Sequence, residues 1–585
     1  MSILSTRRMI VDIGVEVPMR DGVNLAADVY RPSEEGQWPT LLLRLPYDRS
    51  DPLMGSQRLV DPAWLARQGF AVVVQDTRGC GESEGDFNII YQEVNDGYDT
   101  VEWAAAQPWS TGKVGIYGPS YMGITSYQAV ASQPPHLCAA VAFIGSTKSL
   151  ADRPNGDAFE LSFYSWFACA MTMGQIAKSD LDPAIKADLQ GRLMAQITNP
   201  DGLSKTLPVS SIDVISDKSL APLWHEMLEE PGTREIRGPL MGYEPKIGNV
   251  ALLHVCGYRD FVADHAFKLA STFPSGERHR FIATPFAHRG PYTGFTGARE
   301  LPETSSPSGP LGWAPLIAAW FDIHLRGGTG EAYPTAQPWL QGDPVRYYLE
   351  GENRWENAKN WPPETTAREW HLASDGDARS SLGNGRILAP GETASQEGAD
   401  QFTADPMNPF PTCGGPLGIP TQGQEAIQDQ RLVDGRDDVL VYTSDVLTEP
   451  VKIAGHQQLA LQFSSSAPDA DICVTLVDVE PEGFAYNVCD GVQRCRYRNG
   501  GTTDWLEAGK TQEVTVTLHP TAHVFKPGHR IRVMIAGANF PRFSRNLHTK
   551  TVPEFATAEE AVAADHKVHH GPSVHSRLIL NQMQI

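Results

Sequence analysis

Ser120, Asp260 and His288 are the side chains whose types and order along the chain could carry acyl transfer. That chemistry needs an attacking oxygen, a base to take its proton, a group to orient the base, and donors for the developing oxyanion. Ser120 lies in Gly118-Pro119-Ser120-Tyr121-Met122-Gly123. Val114, Ile116 and Tyr117 before it suit a short buried strand, and Ile124 to Val130 after it suits a helix. A serine at the apex of a strand–turn–helix stands clear of the sheet. The helix N-terminus then aims N–H groups at an oxygen on the attacked carbon. The common spacing is G-x-S-x-G. Here Met122 fills the second glycine's place and Gly123 follows one residue later, so the pattern alone also suits an ordinary serine in a glycine-rich turn. An imidazole titrates near pH 7, which suits His288 to the base and Asp260 to holding its tautomer. A lone histidine after a strand is more often structural; the joint placement of the three residues carries the reading.

That placement follows from the elements around them. Asp21-Gly22 is a turn signal between apolar runs and predicts a hairpin. Thr40 to Leu45 and Phe70 to Gln75 read as buried strands. Asp61 to Gly69 between them reads as a capped helix, with Asp61 as N-cap, Pro62 at the first position and Gly69 past the end. A helix over Glu93 to Ala106 precedes the strand that leads into Ser120. Strands Ala251 to Cys256 and Arg280 to Ala283 run into Asp260 and His288. Alternating strands and helices predict a parallel sheet covered on both faces. Its C-terminal edge is where ligands bind, and all three residues arrive there. The order Ser, Asp, His is that of α/β-hydrolases. Trp313 to Leu325 reads as an amphipathic helix closing the unit.

Two segments break this rhythm. From Ser146 to about Gly248 there is no convincing strand, and Phe159 to Ala177 and Pro183 to Ile197 read as helices of an insertion over the sheet edge. Phe163, Trp166, Phe167, Met171 and Met173 would pack that insertion, wall an active site, or both. From Pro344 the period shifts to two, with short strands at Val345 to Leu349, Val439 to Tyr442, Leu459 to Ser464, Ile472 to Asp478, Glu513 to Leu518 and Ile531 to Ile535. This predicts a two-sheet jelly roll. Ser380 to Gln428 reads as long-looped.

The sequence resembles the CocE/NonD hydrolases, the cocaine-esterase-like and X-Pro dipeptidyl-peptidase-like enzymes. The resemblance spans nearly the whole chain. It rests on Val17-Pro18-Met19-Arg20-Asp21-Gly22, Pro46-Tyr47-Asp48, Gln75-Asp76-Thr77-Arg78-Gly79, the shifted-glycine elbow around Ser120, Trp361-Pro362-Pro363, Asp490 to Arg498, Pro527 to Ile531 and Asn539 to Phe543. It implies an α/β fold: an α/β-hydrolase domain (1–145 and 249–343), a helical cap (146–248) and a C-terminal β jelly roll (344–585). It further implies Ser120 as nucleophile, Asp260 as acid and His288 as base, with the Tyr47 hydroxyl and the Tyr121 backbone N–H as the oxyanion hole. Tyr47 suits this physically, because it follows Pro46 at the end of a buried strand on the same sheet edge.

The expected activity is hydrolysis of a small-molecule carboxylic ester through an acyl-enzyme. The aromatic insertion, with Trp166, Phe167 and Phe261 as pocket residues, points to an apolar or aromatic acyl group. The alternative is an amide-cutting enzyme, an X-Pro dipeptidyl aminopeptidase or an α-amino ester hydrolase or β-lactam acylase. Such an enzyme would hold a substrate ammonium on carboxylates such as Asp157 or Glu160. A non-catalytic carbohydrate- or protein-binding module is the remaining reading.

Composition narrows the partners. A net charge of -22 disfavours nucleic acid or an anionic membrane as partner, and no apolar run approaches a membrane span. The eight cysteines are scattered, so reduced thiols in a cytoplasmic protein are expected. A homodimer is left open. Asp76 to Gly81 lacks the end of a phosphate loop, and Arg78 there is expected to tie loops together. No cofactor and no metal is expected. His566, His569, His570 and His575 read as a polar loop before the strand Leu578 to Leu580. Asp469, Asp471 and Asp478 suit calcium or acidic turns equally.

Overall fold

The computed structural model describes residues 9–33, 35–51, 59–88, 92–146, 156–229, 249–272, 276–294, 296–302, 305, 312–418, 425–500 and 502–584. Parts of the expected cap, 147–155 and 230–248, lie outside the described residues.

Ten strands make the first sheet: β1 (Ile10–Pro18), β2 (Asn24–Arg31), β3 (Trp38–Leu45), β4 (Ala71–Asp76), β5 (Ser110–Pro119), β6 (Leu137–Phe143), β7 (Ala251–Arg259), β8 (His279–Ala287), β9 (Val345–Leu349) and β10 (Arg354–Ala358). Their spatial order is β1-β2-β4-β3-β5-β6-β7-β8-β9-β10. The strands from β4 to β9 in that order run parallel, and β1, β2 and β10 are antiparallel additions at the edges. The β1–β2 hairpin turns at Asp21-Gly22 as expected, closed by Met19 N–H donating to the Val23 carbonyl at 2.8 Å.

Strand alternation sorts the sheet's side chains into two cores. Leu42, Val73, Ile116, Ala140 and Leu252 face one, with Val101 of α2 (Glu93–Ala105) and Tyr127 and Val130 of α3 (Tyr121–Ser132). Leu41, Leu43, Val72, Val74, Tyr117, Val141 and Leu253 face the other, with Leu65 of α1 (Pro62–Arg67). Asp61 caps α1 by accepting from Ala63 N–H. Each such buried aliphatic side chain contributes about 1.5–3 kcal/mol.

Among the described residues between β6 and β7 lie the α-helices Leu161–Lys178, Pro183–Ile197, Pro200–Lys205 and Pro222–Leu228, here α4 to α7. Phe159 packs edge-on against Tyr164 and Trp224, which binds the start of α4 to α7. After β7 comes α8 (Ala263–Thr272), and after β8 the single turn α9 (Gly290–Thr293). The expected amphipathic helix over Trp313 to Leu325 is α10 (Ala314–Phe321) followed by a wider turn over Asp322–Arg326. It is not amphipathic. Every residue from Leu316 to Phe321 is buried, and Trp320 donates to the Ala140 carbonyl of the sheet at 3.1 Å.

The C-terminal unit is all β, as its period predicts. One sheet carries Gly398–Ala404, Ala564–His570, Gln458–Ser465 and Arg577–Met583, and the other Val439–Ser444, Arg530–Ala536, Asp471–Val479 and Ala485–Arg494. Thr365–Ala373 belongs to both: its first seven residues pair with Arg577–Met583, and Leu372 and Ala373 pair with Arg386–Ile387. Leu459, Leu461 and Phe463 pack against Leu440, Tyr442, Val474, Leu476 and Val533.

Several sequence expectations are corrected here. Val345–Leu349, read as the first jelly-roll strand, is β9 of the first sheet, because Phe281, Ile282 and Ala283 of β8 pair with it in parallel. Among its described residues the tract 380–428 contains the strands Arg386–Ile387 and Gly398–Ala404. His566, His569 and His570 lie on a strand, not in a loop. His566 and His570 are buried, hydrogen-bonded to Ser465 and to Asp400 and Ser374. Asp469 and Asp471 are spent on Arg496 and Arg494, and Asp478 on His523, His529 and Tyr486, so none is arranged around a cation.

Candidate active site

β5 delivers Ser120 into a turn that few residues adopt. Its φ of 56° and ψ of −124° lie in a region that costs about 1–3 kcal/mol for a side chain with a Cβ. Two glycines make the turn sterically feasible. A Cβ on Gly118 would stand 2.2 Å from Met122 Cβ, and one on Gly123 would stand 2.6 Å from the Phe143 carbonyl oxygen. Gly123 therefore marks where α3 presses on the end of β6, which accounts for the shifted glycine of the motif.

The chain ends after β7 and β8 complete the group. His288 Nε2 lies 3.0 Å from Ser120 Oγ, and His288 Nδ1 lies 2.9 and 3.1 Å from the two Asp260 oxygens. Asp260 is fully buried, and its Oδ1 also accepts from Val262 N–H at 3.0 Å. A carboxylate on Nδ1 fixes the proton there, so Nε2 is left to accept from the serine hydroxyl. The Phe261 ring stands 4.5 Å from the imidazole, centroid to centroid.

Tyr47 reaches the same point from the loop after β3. Its hydroxyl is near enough to the Ser120 side chain for the serine to act against burial, which pushes the phenol up to about 12. The loop is held by Arg49, whose backbone N–H donates to Asp76 Oδ1 at 2.6 Å and whose Nε donates to Asp28 at 2.9 Å. Arg78 ties loops as expected, on Asp96 and Asp21. Tyr121 opens α3, so its N–H belongs to the helix's first turn. Its side chain points elsewhere: the hydroxyl donates to Glu93 Oε1 at 3.1 Å, and Glu93 pairs with the buried Arg44. Ser120's own N–H donates to the Phe143 carbonyl at 3.0 Å.

The expected pocket residues divide. Phe261 touches the imidazole, and Phe167 joins it through Phe163, whose ring lies 4.1 Å from Phe261 and 5.6 Å from Phe167. Phe163 was legible only as one of several insertion aromatics. Trp166 packs on the same core, half-buried, without a ring contact to this stack among the described residues. The C-terminal unit also reaches the stack. A Cβ on Gly418 would stand 2.6 Å from Phe163 and 2.9 Å from Phe261. Of the two carboxylates weighed for an ammonium, Glu160 is buried against Arg542 at 3.1 Å, and Asp157 sits in the turn before α4. No helix among the described residues is long and apolar enough to cross a membrane.

A parallel sheet presenting a serine on a strained strand–helix turn, with histidine and aspartate at the neighbouring strand ends, defines a serine acyl hydrolase of the α/β-hydrolase fold. Residues 21–288 match the X-Pro dipeptidyl-peptidase (S15 family) model, and 339–579 match the X-Pro dipeptidyl-peptidase C-terminal non-catalytic domain. The chain is 33% identical to a cocaine esterase of Rhodococcus sp. (strain MB1 Bresler) over 585 residues, 97% of each protein. It belongs to the CocE/NonD family of serine hydrolases, as the sequence resemblance implied. The fold is shared with an aminopeptidase from a marine-sediment Thaumarchaeota archaeon, with a TM-score of 0.79, 22% identity and coverage of 100% of this chain and 98% of that one. It is shared too with an α-amino acid ester hydrolase, with a TM-score of 0.73, 23% identity and the same coverage.

Proposed function

We propose that this enzyme cleaves carboxylic esters with an apolar or aromatic acyl group, with Ser120 as nucleophile, His288 as base and Asp260 as its orienting acid. Ser120 Oγ attacks the carbonyl carbon as its proton passes to His288 Nε2. The oxyanion is held by the Tyr47 hydroxyl and the Tyr121 N–H; Ser120's own N–H is committed to the sheet. The C–O bond to the alcohol then breaks, and the His288 imidazolium returns its proton to the leaving oxygen. A water molecule, deprotonated by His288, attacks the acyl-enzyme carbonyl; the bond to Ser120 Oγ then breaks, His288 returns the proton to Oγ, and the acid leaves.

The observation that carries this reading is the unbroken chain Ser120 Oγ, His288 Nε2, Nδ1 and Asp260 at 2.9–3.1 Å. The Phe261–Phe163–Phe167 stack, with Phe261 beside the imidazole, supports the choice of acyl group. In this reading 146–248 acts as the cap over a site borne by 1–145 and 249–343, and the protein works in the cytoplasm, with a homodimer compatible. Amide cleavage is the second reading. It is weakened by Glu160, whose charge Arg542 already neutralises.

A panel of benzoyl, phenylacetyl and acetyl esters of one alcohol, with Gly-Pro-anilide alongside, tests the proposal against wild type and Ser120→Ala. Faster turnover of aryl acyl esters, lost in the variant, is expected. Preference for the anilide or for acetyl esters would overturn the choice of substrate. Failure of a fluorophosphonate to label Ser120 would overturn the mechanism.

A further inference from the structure

Both the acid and the base are followed or preceded by an arginine, and both arginines reach across to the second half of the chain. Arg259, immediately before Asp260, donates to both oxygens of Glu350 at 2.6 and 3.1 Å. It donates as well to the carbonyls of Asn487 and Val488, each at 3.3 Å. Arg289, immediately after His288, donates from Nε and Nη2 to Glu425 Oε1 at 2.8 and 2.5 Å. Glu425 belongs to the C-terminal unit and stands 136 residues away in sequence. Asn487 joins the two clamps. Its side chain accepts from Gln428 N–H at 2.7 Å and donates to the Ala426 carbonyl at 2.9 Å, on either side of Ile427. Ile427 in turn pairs with the loop that follows His288, through Thr296 O at 3.1 Å and Ala298 N at 2.7 Å.

Glu425 is an expensive residue to keep there. It is 1% exposed, and its Oε2 is buried without a hydrogen-bond partner among the described residues. Burial holds its carboxyl above the usual range, and Arg289 works against that. A purely structural contact would be served as well by an apolar pair. The carboxylate is also close enough for its charge to act on both His288 and Asp260.

We infer that Glu425, from the unit that matches a non-catalytic domain, is a positioning residue for His288, acting through Arg289. The inference rests on His288 being the base. When Ser120 attacks, positive charge appears on the imidazole, one residue before the cation Arg289. Like charges disfavour that state, and a carboxylate paired to the guanidinium offsets the repulsion. The charged groups on or near the imidazole are then Asp260 from the end of β7, Glu425 from the β unit and Arg289, the next residue in its own loop, with the Tyr47 phenol across Ser120. Glu425 also holds the turn that aims Nε2.

The test is Glu425→Gln, read by kcat, KM and the pH profile of kcat/KM on a neutral aryl ester. Fluorophosphonate labelling of the unmodified enzyme comes first, so that failure of the serine mechanism is seen separately. Removing the carboxylate takes away a negative charge that acts on His288, which favours neutral imidazole. The acid limb of kcat/KM should move to lower pH by about half a unit. kcat should fall about tenfold with KM within about twofold. Wild-type kcat, or an unmoved limb, overturns the proposal. Should the variant fail to fold, Arg289→Met with Glu425→Leu takes its place. That pair removes both charges, so an unmoved limb with kcat down about tenfold is expected, and wild-type kcat overturns the inference.

Discussion

Ser120 Oγ and His288 Nε2, 168 residues apart in sequence, lie 3.0 Å from one another. The contact needs three strand ends to arrive at one edge of one sheet. β5, β7 and β8 do so because β6 lies between β5 and β7, and β8 lies directly beside β7. The serine turn then leans on β6 through Gly123, and the imidazole is pinned from behind by a buried carboxylate.

Under the proposed mechanism Ser120→Ala removes the nucleophile and His288→Ala the base. Each should lower kcat on an aryl ester by about 10⁶-fold, non-additively, and Ser120→Ala should abolish fluorophosphonate labelling. Asp260→Asn keeps the shape but favours the wrong tautomer, and should cost about 10⁴-fold in kcat. Steady-state kinetics on folded variants, with identical circular dichroism, check all three. A variant of any of them retaining a tenth of the activity would break the scheme.

Tyr47→Phe removes one oxyanion donor while leaving the ring in place. kcat should fall by about 10²–10³-fold with KM little changed, since the bond is made chiefly in the transition state. The phenol, pushed up to about 12 by burial, donates only while protonated. Its contribution should therefore persist across pH 7–10 and fade only as pH approaches 12. The rate ratio of wild type to Tyr47→Phe, measured at pH 7 and pH 10, should be the same at both.

The sheet and its edge were legible because buried parallel strands read as continuous apolar runs, and Asp260 and His288 directly follow two of them. The cap helices were legible from their length and lack of strands. Other features were hidden for identifiable reasons. β9 looks like any period-two strand, and only its parallel pairing with β8 assigns it to the first sheet. His566, His569 and His570 mimic a loop because histidine is polar, yet partners such as Ser465 and Asp400 make the burial of His566 and His570 tolerable. Phe163 carries no mark that separates it from Trp166; which of them meets Phe261 depends on the rotation of α4. Glu425 sits in a glycine- and proline-rich tract, and its pairing with Arg289 exists only in three dimensions.

Arg542 links the start of the α4 segment to the β unit. It donates to Glu160 at 3.1 Å and to Asp490 at 2.8 Å, all three side chains being buried. Arg542→Ala would take a shared guanidinium from two buried carboxylates, at a cost of about 3–5 kcal/mol. The melting temperature should fall clearly. Asp490, held at about 2 because Arg542 and His519 outweigh its burial, should titrate higher in the variant.

His519 adjoins that cluster. Burial works against its charged form, but Asp264 and Asp490 prevail and lift it to about 8, against 6.5 ordinarily. A raised histidine stabilises the fold fully below its unfolded value and ceases to as pH climbs through its folded value. Stability should therefore drop by about 2 kcal/mol between pH 6 and pH 9 from this group. Urea unfolding at both pH values should show that loss in wild type and a smaller one in His519→Gln. An equal loss in both would place the titrating group elsewhere.

Gly418 offers a way to read the acyl pocket from the C-terminal side. Its missing Cβ would fall 2.6 Å from Phe163 Cδ2 and 2.9 Å from Phe261 Cδ1, closer than real contacts allow. Gly418→Ala must therefore push the two rings, one of which lies against His288. If the acyl group sits on that stack, benzoyl ester turnover should fall about tenfold or more, while acetyl ester turnover changes by less than about threefold. The discriminating quantity is the ratio of kcat/KM for the two esters, because a general loss of folded enzyme lowers both terms alike. An unchanged ratio would move the acyl group away from Phe163 and Phe261.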